Sequence, residues 1–167
     1  MKTLNLIQAI SPDLQKEIVQ HMYVNHKPAF RMVQGQLATA RKLRPVFLQA
    51  KSGEDQVNWL LAQIRMKVSE TMADQVIQLW LLKGQQKMLS TFLDATGIEH
   101  KNGEVEDLPE EITKAKATDG ITALLKDFPA EHAAIYLHMF QRQKEGGWPG
   151  LTEAMADFPE LELKAAA

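Results

Sequence analysis

Apolar residues recur three and four positions apart along most of the chain, and two-residue alternation of the strand type is nearly absent. Leu14, Ile18, Val19 and Met22 define one helical face, and Ser11-Pro12-Asp13 supplies its start: the serine oxygen accepts an orphan amide, and Pro12 sits where its missing N–H costs nothing. The spacing predicts a helix over about 12–25. Pro28 opens a second, with Phe30, Val33, Leu37 and Ala40 on one face. Pro45 is expected to break or kink it, because its ring clashes with the preceding turn.

Between Glu54 and Lys83 there is neither Gly nor Pro. Val57, Leu60, Leu61, Ile64, Val68, Met72, Val76, Leu79 and Trp80 keep helical periodicity throughout. Ser52-Gly53-Glu54-Asp55 reads as a capping box at its start, and Ser69 offers an alternative cap that would split the run in two. After Gly84, Met88, Leu89, Phe92 and Leu93 resume the pattern. It stops at Thr96-Gly97-Ile98, where Gly97 suits a left-handed backbone and Ile98 can fold back on Leu93. Residues 98–108, IEHKNGEVEDL, form a polar connector with an Asn102-Gly103 turn signal, either a short hairpin or a loop. Beyond it the pattern predicts a short helix from Asp107-Leu108-Pro109-Glu110 to about Lys116. A second follows Asp119-Gly120 with Ile121, Leu124 and Leu125, a third starts at Pro129, and a last short one covers Leu151–Asp157 after Lys144–Gly150.

The expected fold is therefore all-α: one domain of about seven helices, arranged as a bundle or an array of helical hairpins. Its expected parts are a basic helical part over 1–97, the connector 98–108, and an acidic part over 109–167 that packs on the first. A faint internal similarity accompanies this reading. Pro12–Met22 and Pro129–Met139 both place Ile six residues after Pro, and His-Met nine and ten after it. A looser copy starts at Glu70, and the starts are spaced 58 and 59 residues apart.

Composition changes this picture little, but charge and the missing residue types sharpen it. An apolar fraction of 45% over 167 residues is enough for an ordinary core. The chain has no cysteine, which excludes disulfides, thiolate metal sites and a cysteine nucleophile, and which fits a cytoplasmic protein. Lys2 is followed by apolar residues mixed with Thr3, Asn5 and Gln8, so no signal peptide is expected. Val76–Leu82 falls far short of the roughly 20 apolar residues a membrane span needs, and no membrane association is expected. Residues 1–93 carry 12 Lys/Arg against 6 Asp/Glu, whereas 94–167 carry 7 against 15. No acidic residue lies between Glu17 and Glu54, a stretch that holds Lys27, Arg31, Arg41, Lys42, Arg44 and Lys51. Mutual attraction of the halves is the plain reading of that asymmetry, and an anion-binding face is the sharper one.

Candidate chemistry is sparse. The segment AEHAAIYLHMFQ, Ala130–Gln141, holds two histidines, but on a helical wheel of about 100° per residue His138 lies near 240° from His132, so one metal cannot bridge them. His132 falls on the apolar stripe with Ile135, Tyr136 and Met139, and His138 shares a polar arc with Ala134 and Arg142. Glu17 and His21, four apart, read as a helical charge pair. Glu99-His100 looks exposed and isolated. Phosphate-loop, dinucleotide, zinc-protease and serine-elbow motifs are all missing, so no catalytic residue, metal or cofactor is assigned.

The expected function is a non-catalytic protein–protein interaction or structural module, with a partner protein or a second copy of the chain as ligand. Trp148, in a Gly/Pro turn, is the candidate for its partner surface, with covering of the end of the preceding helix as the alternative. Binding of nucleic acid or another polyanion through 27–51, with Arg41, Lys42 and Arg44 as the anion-binding residues, is the less favoured alternative, because no aromatic platform is interleaved with them. A third reading, an enzyme or small-ligand carrier, would use an inter-helix pocket near His132, Tyr136 and Glu131.

Overall fold

The computed structural model describes residues 2–67 and 70–163, and every regular element among them is helical. There are ten α-helices: α1 (Thr3–Ala9), α2 (Pro12–Asn25), α3 (Lys27–Ala40), α4 (Pro45–Gln49), α5 (Gly53–Lys67), α6 (Glu70–Leu79), α7 (Gln86–Thr96), α8 (Lys114–Asp127), α9 (Ala130–Gln141) and α10 (Pro149–Ala156). A π-helical turn (Trp80–Gly84) precedes α7, and a 3-10 turn (Pro159–Leu161) follows α10. Two of the helices beyond the expected seven are an extra helix at the start and a restart at Pro45. The Ser69 cap and Val68 lie outside the described residues.

The chain forms two compact units that part between Trp80 and Leu81. The division therefore falls in the π-helical turn, and the 98–108 connector lies inside the second unit, between α7 and α8. Of the similar segments, Pro12–Met22 and the one starting at Glu70 fall in the first unit and Pro129–Met139 in the second, so a 58-residue spacing does not coincide with the units.

In the first unit α2 packs on α3, α5 and α6, and α1 packs on α5 and α6. Leu6, Ile18, Val19, Met22, Phe30, Val33, Leu60, Ile64 and Ile77 fill the interior. α1 has no cap of its own: the amides of Thr3 and Leu4 donate to the two carboxylate oxygens of Glu70 at 2.6 and 3.0 Å, and the Thr3 hydroxyl donates to Asp74. An anion on α6 thus satisfies the orphan amides and the positive end of α1. Buried glutamines add cross-links. Gln15 donates to the Ile7 carbonyl at 2.7 Å and accepts from Arg65 at 2.7 Å, and Gln34 donates to Gln56 at 3.2 Å.

In the second unit α8 packs on α7, α9 and α10. α9 is buried around nearly its whole circumference, Ala134 included, so it is a central helix rather than an amphipathic one with a polar arc. Gly120 lies in the middle of α8, where a helix start was expected. A Cβ there would come within 2.7 Å of Phe92 and Thr96, so the missing side chain lets α8 close on α7. The short helix expected from 107 to 116 is instead irregular chain with bends up to Thr113, whose side chain caps α8 by accepting from Lys116 at 3.3 Å. The stop at Gly97 follows the expected geometry, with φ of 72° and the Ile98 amide bonded to the Leu93 carbonyl at 2.9 Å. In the connector, Asn102 and Gly103 take φ of 53° and 90°, the tight hairpin turn signalled by Asn-Gly, closed by two backbone bonds between Lys101 and Glu104.

Candidate interaction surface

Among the described residues, five of the six exposed large apolar side chains, Val24, Met32, Leu43, Val46 and Phe47, fall between residues 24 and 47, inside the stretch without a carboxylate. They concentrate where α3 turns into α4. Among Arg41–Ser52 only Leu48 is buried and Pro45 half-buried, so the segment projects from the first unit on a single anchor. Leu43 is 44% exposed, Val46 61% and Phe47 65%, and the exposed cations Arg41, Lys42, Arg44 and Lys51 stand among them. None of these four cations forms an ion pair within the described residues.

The backbone of this corner is fixed. α3 ends in the two-bond motif that also closes α7: the Leu43 amide donates to the Ala38 carbonyl at 2.8 Å and the Lys42 amide to Thr39 at 3.0 Å. At the end of α7 the left-handed position is a glycine. Here it is Lys42, with φ of 57°, a conformation that an ordinary L side chain disfavours by about 1 kcal/mol. Pro45 then opens α4 from its first turn, where a proline has no amide to waste, instead of kinking a longer helix. The far side of the corner is held from below. Gln56 donates to the carbonyls of Gln49 and Lys51 at 3.3 and 2.9 Å while it accepts from Gln34. Against the start of α5, Tyr23 meets the Gly53 backbone, stacks edge-on with Phe30 at 5.0 Å, and carries the Lys27 ammonium 4.0 Å above its ring.

Arg41, Lys42 and Arg44, the sequence candidates for anion binding, are therefore brought together on one exposed corner. The aromatic that sequence reasoning did not find beside them is Phe47. The available signal was Pro45, expected to break or kink the helix: it breaks it, and the restart makes Phe47 part of a projecting turn.

The chain matches no protein-family model, no curated protein and no solved structure.

The candidates in the second unit divide differently. Trp148, expected at the surface, is fully buried: its ring stacks on Phe140 at 4.9 Å, its indole N–H donates to the Pro109 carbonyl at 2.8 Å, and its amide donates to Gln141 at 2.7 Å. It seals the end of α9 and pins the irregular segment before α8, which is why a Gly/Pro turn does not expose it. Tyr136 is 3% exposed, edge-on to Phe92 at 5.5 Å and near Phe140, with a hydroxyl that finds no hydrogen-bond partner. Burial pushes its phenol far above the ordinary tyrosine range, so it is neither base nor nucleophile at neutral pH. Glu131 and His132 are half-buried in the first turn of the same helix. His138 is half-buried too, and burial lowers its pKa.

Two other histidine sites stand apart, and the first differs from expectation. His100 is mostly buried rather than exposed and isolated: Nδ1 accepts from the Gly103 amide at 3.1 Å and Nε2 meets Asp94 at 2.7 Å, so the ring locks the connector turn to α7. His21 packs against His26 with ring centroids 5.3 Å apart. Burial and the neighbouring imidazole lower its pKa, and Glu17 only partly offsets them. Among the described residues no group of three or more His, Asp or Glu side chains is arranged to hold a metal ion.

Proposed function

We propose that this chain is a non-catalytic interaction module, built of small helical bundles, that engages an anionic partner through the Arg41–Ser52 corner of its first unit. The observation that carries this reading is the juxtaposition there of four unpaired cations and three exposed apolar side chains on a hydrogen-bonded backbone. Lys42 supports it: a glycine would hold this left-handed position with less strain, and the lysine adds a cation there. Retention on heparin tests the reading. Wild-type protein is expected to bind at low ionic strength and to elute with rising salt, and the combined Arg41→Ser, Lys42→Ser, Arg44→Ser variant is expected to flow through with an unchanged far-UV spectrum. No retention of the wild type, or equal retention of the variant, overturns it. The small-ligand reading draws on the orphan hydroxyl of Tyr136, and the stability of Tyr136→Phe separates it.

A further inference from the structure

We infer that the anionic partner of the 41–52 corner is the surface of a phospholipid bilayer, which the corner enters with Leu43, Val46 and Phe47 while Arg41, Lys42, Arg44 and Lys51 stay among the headgroups. The inference rests on the anion-binding reading above and specifies its ligand. No helix among the described residues is long and apolar enough to cross a membrane, so the association concerned is interfacial, a class the sequence expectation of no membrane did not weigh.

Three observations favour a lipid surface over a soluble polyanion or a protein. First, the exposed apolar groups are two branched aliphatics and one phenyl ring. Base stacking uses aromatic faces, and Leu43 and Val46 offer none, whereas acyl chains accept all three. Second, the corner projects: one buried residue in twelve gives no groove in which a peptide helix or strand would seat its side chains. Third, the amides of Arg41, Lys42, Leu43, Phe47, Ala50 and Lys51 are already bonded to carbonyls of α3 or of the segment itself. These six can enter a low-dielectric interface with their donors satisfied, whereas the Arg44 and Val46 amides at the uncapped start of α4 have no backbone partner and stay open to a headgroup phosphate. The charges complement the bilayer as well. No carboxylate from residue 18 to 53 opposes an anionic headgroup, and the long Lys and Arg stems can lie along apolar surface with their heads in water.

Flotation with vesicles of phosphatidylcholine and phosphatidylserine in equal amounts, and of phosphatidylcholine alone, tests the inference, with heparin retention measured in parallel. Wild type is expected to float with the anionic vesicles and not with the neutral ones. Neutralising Arg41, Lys42 and Arg44 to Ser is expected to lower partitioning about a hundredfold, at about fivefold per cation. The double variant Leu43→Ser, Phe47→Ser changes only exposed side chains and is expected to lose at least tenfold in partitioning while its heparin retention persists. That split distinguishes insertion from charge attraction alone. Heparin retention without flotation overturns the lipid assignment and leaves the anion-binding reading standing; loss of both removes both. Single-stranded DNA binding abolished by Phe47→Ser, with no flotation, assigns the corner to nucleic acid. A dimer in sedimentation equilibrium that the double variant dissociates assigns it to a second copy of the chain. Either result overturns the inference.

Discussion

Replacing Tyr136 with phenylalanine isolates a single atom. The ring is enclosed by Phe92 and Phe140 with centroids 5.5 and 5.9 Å away, and phenylalanine retains both contacts. What disappears is a hydroxyl that is shielded from water and bonded to nothing in the protein. Burying a polar group without a partner costs about 1–3 kcal/mol, and the unfolded chain pays nothing because its hydroxyl is hydrated. Tyr136→Phe is therefore expected to stabilise the fold by about 1 kcal/mol, a rise of about 2–4 °C in Tm for a chain of this length. Tyr136→Ala, which empties the site, is expected to cost about 3–5 kcal/mol and confirms that the position reports on the core. The assay is urea and thermal unfolding followed by circular dichroism, with m compared between variants to verify that the unfolded state is unchanged. A loss of 1 kcal/mol or more in Tyr136→Phe at constant m refutes the reasoning. The hydroxyl would then have a partner, a trapped water or a ligand, and the core around Tyr136 would become the leading candidate for small-molecule binding.

Lys42→Gly is expected to raise stability by up to about 1 kcal/mol, because glycine occupies the left-handed position freely, while heparin elution shifts to lower salt; unfolding and chromatography on one preparation check both. Gly120→Ala is expected to destabilise by about 1–2 kcal/mol even though alanine is the better helix former, since its methyl would overlap Phe92 and Thr96, and a rise in Tm would contradict the packing argument. The folded-state pKa values of His21 and His138 both lie below the ordinary histidine value, so as pH falls below about 6.5 the unfolded chain takes up protons first. Their contribution to stability is full above that value and is lost as pH falls through the lower folded-state pKa. The urea midpoint should therefore drop on acidification, and the drop should shrink in His138→Gln.

What could be read from the sequence was what neighbouring residues decide. Ser11-Pro12 starts α2, Thr96-Gly97-Ile98 ends α7, and Asn102-Gly103 makes the turn, each through bonds spanning a few positions. The misses are all tertiary. α1 is capped by a carboxylate 66 and 67 residues away, and no local signal announces it. Gly120 reads as a breaker until Phe92 and Thr96 are seen against it, and Trp148 reads as exposed until Phe140 and Pro109 close over it. The candidate surface was half legible: its cations and the missing carboxylates are in the letters. That Leu43, Val46 and Phe47 face outward follows from Lys42 standing in for a C-terminal glycine, which no composition rule reveals.

The borrowed cap of α1 also fixes an order of events. A ribosome releases the chain from its amino end at about 5–20 residues per second, so the segment destined to become α1 waits roughly 3–13 s for Glu70 to emerge. Seven residues without a cap do not hold a helix in water. During synthesis this stretch therefore gains its cap, and joins the fold as a helix, only when α6 arrives.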